Sequence, residues 1–63
     1  MSSKELKQGT WYHIDRPPHI KGRFQYAGEV DFLQGVKKYL FQCFAIDLHL
    51  TEDELITCVG LDK

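Results

Sequence analysis

From His19 to Ala27 the chain alternates, with Ile20, Gly22, Phe24 and Tyr26 on one parity and Lys21, Arg23 and Gln25 on the other. A period of two sends these sets to opposite faces of a strand. A strand is therefore predicted over residues 19–27, ended by Gly28, with Gly22 as the place for a bulge. Upstream, Gly9-Thr10 opens the aromatic and β-branched run Trp11-Tyr12-His13-Ile14, which predicts a strand over residues 10–15. Pro17-Pro18 stops it and favours an extended polyproline-type connection.

Residues 29–45 carry two patterns. As a helix, Phe32, Leu33, Val36, Tyr39, Leu40, Cys43 and Phe44 form one stripe. As strands, 30–33 and a run from Lys38 flank a turn at Gln34-Gly35. Composition favours strands, because Val, Phe, Tyr and Cys dominate and Gly35 would cost a helix interior about 1 kcal/mol. From Leu40 onward Phe44, Ile46, Leu48 and Leu50 keep one parity, with Asp47 and His49 on the other. One long strand over 38–50, bent near Ala45, is the expectation.

The strongest local signal is Thr51-Glu52-Asp53-Glu54. Thr51 and Glu54 have the spacing of a capping box, and Leu50 and Leu55 that of the accompanying hydrophobic staple. Three acidic groups in a first turn suit the positive end of a helix. A helix over about 52–59 is predicted, closed by Gly60 in a left-handed conformation with Leu61 packing back on Ile56; the β-branched Ile56, Thr57 and Val59 leave room for a variant with one helical turn and a last strand over 56–61.

These elements predict a mainly β (or α+β) fold: a small antiparallel curled sheet of four to five strands, or an SH3-like barrel, with a short C-terminal helix. Residues 1–8 read as a flexible N-terminal arm and 9–63 as one small globular domain. A chain of 63 residues leaves room for one modest core, and eight Phe, Trp and Tyr side chains can fill it.

Charge refines the picture. Residues 1–38 carry seven Lys and Arg against four Asp and Glu, and residues 39–63 carry one against five. This is either an ordinary dipolar surface or a basic face for an acidic partner. No apolar run is long enough to cross a bilayer, and the polar start Met1-Ser2-Ser3-Lys4-Glu5 lacks the apolar segment of a secretory signal. Cys43 and Cys58 read as reduced thiols, so the cytoplasm is the expected compartment.

Catalytic chemistry finds little support. His13, His19, His49, Cys43 and Cys58 show no metal-ligand spacing. Pairing Cys43 with His49 would need an activated thiolate, and an apolar setting raises a thiol pKa. Glu52, Asp53 and Glu54 are explained by capping, and the scattered glycines form no phosphate loop. No enzyme, metal or cofactor is expected.

Two binding functions remain. The first is a module that binds another protein, as adaptor, regulator or inhibitor, or binds a second copy of itself. Its expected contact residues are Trp11, Tyr12, Arg16, Tyr26, Tyr39 and Phe41, aromatic and Arg side chains of the kind that dominate interfaces. The alternative is a nucleic-acid-binding barrel using Lys21, Arg23, Lys37 and Lys38, with Trp11, Tyr12 and Tyr26 as stacking platforms. A pI near 6.2 weighs against it. No membrane partner is expected.

Overall fold

The alternating segments become five strands and the capping box starts a helix. The computed structural model describes residues 1–61, so the last two positions of the expected 9–63 domain lie outside the described residues. The strands are β1 (Trp11–Arg16), β2 (Ile20–Asp31), β3 (Lys37–Cys43), β4 (Ile46–Leu50) and β5 (Val59–Leu61), with the helix α1 (Glu52–Cys58) between the last two. All pairings are antiparallel, in the order β4-β3-β2-β1-β5. The fold is mainly β, as expected, and takes the open form. Among the described residues no pairing joins β4 to β5, so the sheet does not close.

Several local expectations are corrected. Gly28 does not end the second strand. The register shifts between Tyr26 and Gly28, and pairing resumes at Gly28 opposite Leu40, so β2 absorbs a bulge there and runs on to Asp31. Gly28 accommodates this with a φ of 134°, a conformation that glycine adopts without a Cβ clash. The bulge therefore falls at Gly28 and not at Gly22, which pairs in register with Ile14. Residues 30–33 are accordingly no separate strand. Pro17-Pro18 lies in a tight turn between the paired Arg16 and Ile20, with a cis peptide, and not in an extended connection.

The expected long strand over 38–50 is a hairpin. Phe44 and Ala45 reverse the chain between the paired Cys43 and Ile46. Parity is thereby reset: Tyr39 and Phe41 share a face with Leu48 and Leu50, while Leu40 faces outward with His49. At the C-terminus the chain leaves α1 through Val59 in extended conformation, and Gly60 pairs with His13 as part of β5. Sheet pairing with β1 replaces the expected left-handed helix end.

The core lies on one face of the sheet. It comprises Tyr12, Ile14, Phe24, Tyr26, Tyr39, Phe41, Leu48, Leu50, Leu55 and Val59. Leu55 is the buried residue of α1, so the helix reaches the core through a narrow contact. Its first turn holds it firmly. Thr51 Oγ1 accepts from the Glu54 amide at 3.3 Å, and Glu54 Oε1 accepts from the Thr51 amide at 3.1 Å. Glu54 Oε2 meets Arg16 Nε at 2.8 Å, which ties the helix to β1.

The N-terminal arm docks against the same helix. The Met1 ammonium donates to the Leu55 carbonyl at 2.9 Å. Ser3 donates from its amide and its hydroxyl to the Glu52 carboxylate, at 2.9 and 2.7 Å. Met1 and Leu6 pack against the core. These bonds favour ionised Glu52 and hold its carboxyl below the ordinary carboxylate range, the Ser3 hydroxyl contributing most.

Two outcomes are expected. Thr51→Ala removes the cap and lowers stability by about 1 kcal/mol, read as a lower denaturation midpoint in urea. Because the folded-state pKa of Glu52 is depressed, its contribution is present above the ordinary carboxylate range and is lost as pH falls through the lowered value. Protection of the Ser3 amide against hydrogen exchange, taken relative to its intrinsic rate at each pH, should fall over that acid window in the native protein. In Glu52→Gln that fall should be absent.

Candidate binding surface

Among the described residues, no helix or arm packs as a layer over the face of the sheet away from α1. The register sets its residues in rows. Trp11 pairs with Gln25, Gln25 with Gln42 and Gln42 with Asp47, giving one row from β1 to β4. His13 and Arg23 form the next pair, and Asp15 and Lys21 the one beyond. At the other end Val30 pairs with Lys38, and Leu40 with His49.

Two aromatic rings on this face lie beside cations. The Arg23 guanidinium sits 5.6 Å from the Trp11 ring centroid. Lys38 Nζ sits 5.2 Å from the Phe32 ring, which also lies 5.4 Å from the ring of His49. Each cation is within the range where a ring face attracts it. Trp11 is 41% exposed and Phe32 40%, so each ring keeps accessible surface beside its cation.

The hairpin tip supplies the least expected feature. Phe44 is fully exposed, at 102%, with a φ of 53°. A bulky residue rarely adopts that conformation, and its left-handed backbone costs roughly 1–2 kcal/mol that glycine would not incur. A two-residue hairpin turn normally places glycine, Asn or Asp at such a position. Ile46, beside it in β4, is 53% exposed. The tip lies beyond the Cys43–Ile46 pair, two steps past the Trp11-Gln25-Gln42-Asp47 row, at the same end of the sheet as Arg23.

The sequence-predicted contact residues divide sharply. Tyr12, Tyr26, Tyr39 and Phe41 belong to the core and offer no ring surface to a partner. Their alternation is real, but the face it marks is the one α1 and the arm cover. Burial, with Glu29 nearby, also pushes the Tyr26 phenol above its ordinary value. Arg16 is engaged by Glu54. Trp11 alone of the six stands on the open face with its ring accessible. Of the basic residues, Lys21, Arg23 and Lys38 share that face, while Lys37 pairs with Glu29 at 3.5 Å.

Phe44, Ile46 and Phe32 were missed because the reading placed Phe44 and Ile46 on the buried parity and Phe32 within a strand. Asking which residues a tight reversal near Ala45 would need could have found Phe44. Among the described residues no group of three His, Cys, Asp or Glu side chains gathers as metal ligands. Among the described residues no helix is long and apolar enough to cross a membrane.

No family model, curated protein or solved structure matches the chain.

Phe44→Gly should leave stability unchanged or raise it by up to about 1 kcal/mol, since it relieves a left-handed backbone and removes no buried surface. Thermal and chemical unfolding would measure it. A clear loss of stability would mean that Phe44 serves the fold.

Proposed function

We propose that this chain is a non-enzymatic binding module that acts through protein–protein contacts, as an adaptor, regulator or inhibitor of a larger protein. The observation that carries this reading is Phe44, an aromatic ring held fully in solvent by a strained backbone. Residues kept in costly conformations with no return to the core tend to serve function. At the same end of the sheet, Trp11 with Arg23 adds the aromatic and Arg chemistry of interface anchors. The thiols of Cys43 and Cys58 are both free, which fits a reducing compartment such as the cytoplasm.

The nucleic-acid alternative draws on Lys21 and Arg23 at the Trp11 end of the open face and on Lys38 at the other end. It is weakened by the burial of the other two stacking candidates, Tyr12 and Tyr26. Asp15 and Asp47 also stand on the same face, where they would repel phosphates.

Affinity capture from host extract tests the reading, comparing the native chain with Phe44→Gly and Trp11→Ala. A protein retained by the native chain and lost by both folded variants is expected. Equal recovery on all three would overturn the reading. Because Trp11 is the sole tryptophan, its emission should shift when the captured partner is added. A shift with single-stranded oligonucleotides instead, lost on adding salt, would establish the alternative.

A further inference from the structure

The edge strand β4 has a sequence that complements itself. It pairs only with β3 among the described residues, so its other side ends the sheet. The turn fixes which backbone groups point outward. Cys43 and Ile46 flank a two-residue turn, and in such hairpins the flanking residues form a hydrogen-bonded pair. Because antiparallel pairs alternate, Leu48 and Leu50 also direct their N–H and C=O groups at β3. Those of Asp47 and His49 point away from the sheet.

We propose that this edge joins a second copy of the chain, antiparallel, about a two-fold axis through Leu48. In that register Asp47 pairs with the partner's His49, and His49 with the partner's Asp47. The outward-directed backbone groups of both residues are then the ones the ladder requires. Both side chains lie on the open face, and a two-fold axis normal to the sheet keeps the open faces of both copies on one side. The carboxylate–imidazole contact therefore forms twice, once on each side of the axis. Directly opposed cross-strand groups are close enough to bond.

The side chains are already held for this. Gln42 Nε2 donates to Asp47 Oδ1 at 3.2 Å, which steadies the carboxylate and leaves it further lone pairs. The His49 ring rests against Phe32. On the other face, Ile46 comes beside the partner's Leu50. No other register about a two-fold axis opposes Asp47 and His49, since an axis through either residue sets it against itself. β5 offers a poorer edge, being three residues with Gly60 at its centre.

Pairing through β4 is separate from partner binding through Phe44 and Trp11, so the two can fail independently. The test is sedimentation of the native chain across a micromolar range, combined with hydrogen exchange at the Asp47 and His49 amides. A dimer mass is expected, with both amides protected at least tenfold more at high than at low concentration. Asp47→Lys places a cation opposite the partner's imidazole and should give a monomer. The exchanged variant Asp47→His with His49→Asp should restore the dimer. Since the native measurement stands alone, poor folding of a variant does not shield the proposal. A native monomer at every concentration would overturn it, as would a dimer whose Asp47 and His49 amides exchange freely. Asp47→Lys should still capture a partner that depends on Phe44.

Discussion

Phe41 lies fully buried between Tyr26 and Leu48, its paired neighbours on β2 and β4, with the ring of Tyr26 at 5.2 Å and that of Tyr12 edge-on at 6.2 Å. Residues from β1, β2, β3 and β4 thus converge on one ring. In a domain this small, a few such side chains must supply most of the apolar burial. Burying Phe41 requires that the sheet present one face to a cover, and the cover available is a seven-residue helix with a single buried residue.

So thin a cover depends on its attachments. The helix is capped by Thr51, joined to β1 through Arg16 and Glu54, and followed directly by β5 on the far edge of the sheet. The N-terminal arm extends the cover with Met1 and Leu6, anchored by the Ser3–Glu52 bonds. Glu52 and Glu54 therefore serve the fold. The acidic cluster that the sequence assigns to capping also fastens helix, arm and strand.

With the helix and arm committed to one face, the described residues put no layer over the other. Its rows mix Gln, His, Lys and Arg with Trp11 and Leu40, and the cations partly shield the rings beside them. This keeps a single-layer sheet from presenting a continuous apolar patch. The basic residues on this face and the acidic ones on the helix separate the charge that the sequence divides along its length. Phe44 stands outside this arrangement, because neither the core nor the open face shields it.

The local elements were legible in the sequence wherever a short-range rule governed them. The period-two alternation of Ile20–Tyr26 marks a strand, Gln34-Gly35 a turn and Thr51–Glu54 a helix start, and each depends on neighbours a few positions apart. Parity also set Phe24 and Tyr26 on one face, but it could not say whether that face is covered or open. That choice belongs to the helix and arm, which meet the sheet from distant parts of the chain. The same limit hid the hairpin at Phe44-Ala45. Neither residue is a usual turn former, and pairing of β3 with β4 over the core forces the reversal against the backbone preference of Phe44. Sequence by itself thus determined which segments extend and where the helix begins. Only the tertiary structure decided which aromatic rings are core and which is left in solvent, because burial depends on what packs across the sheet.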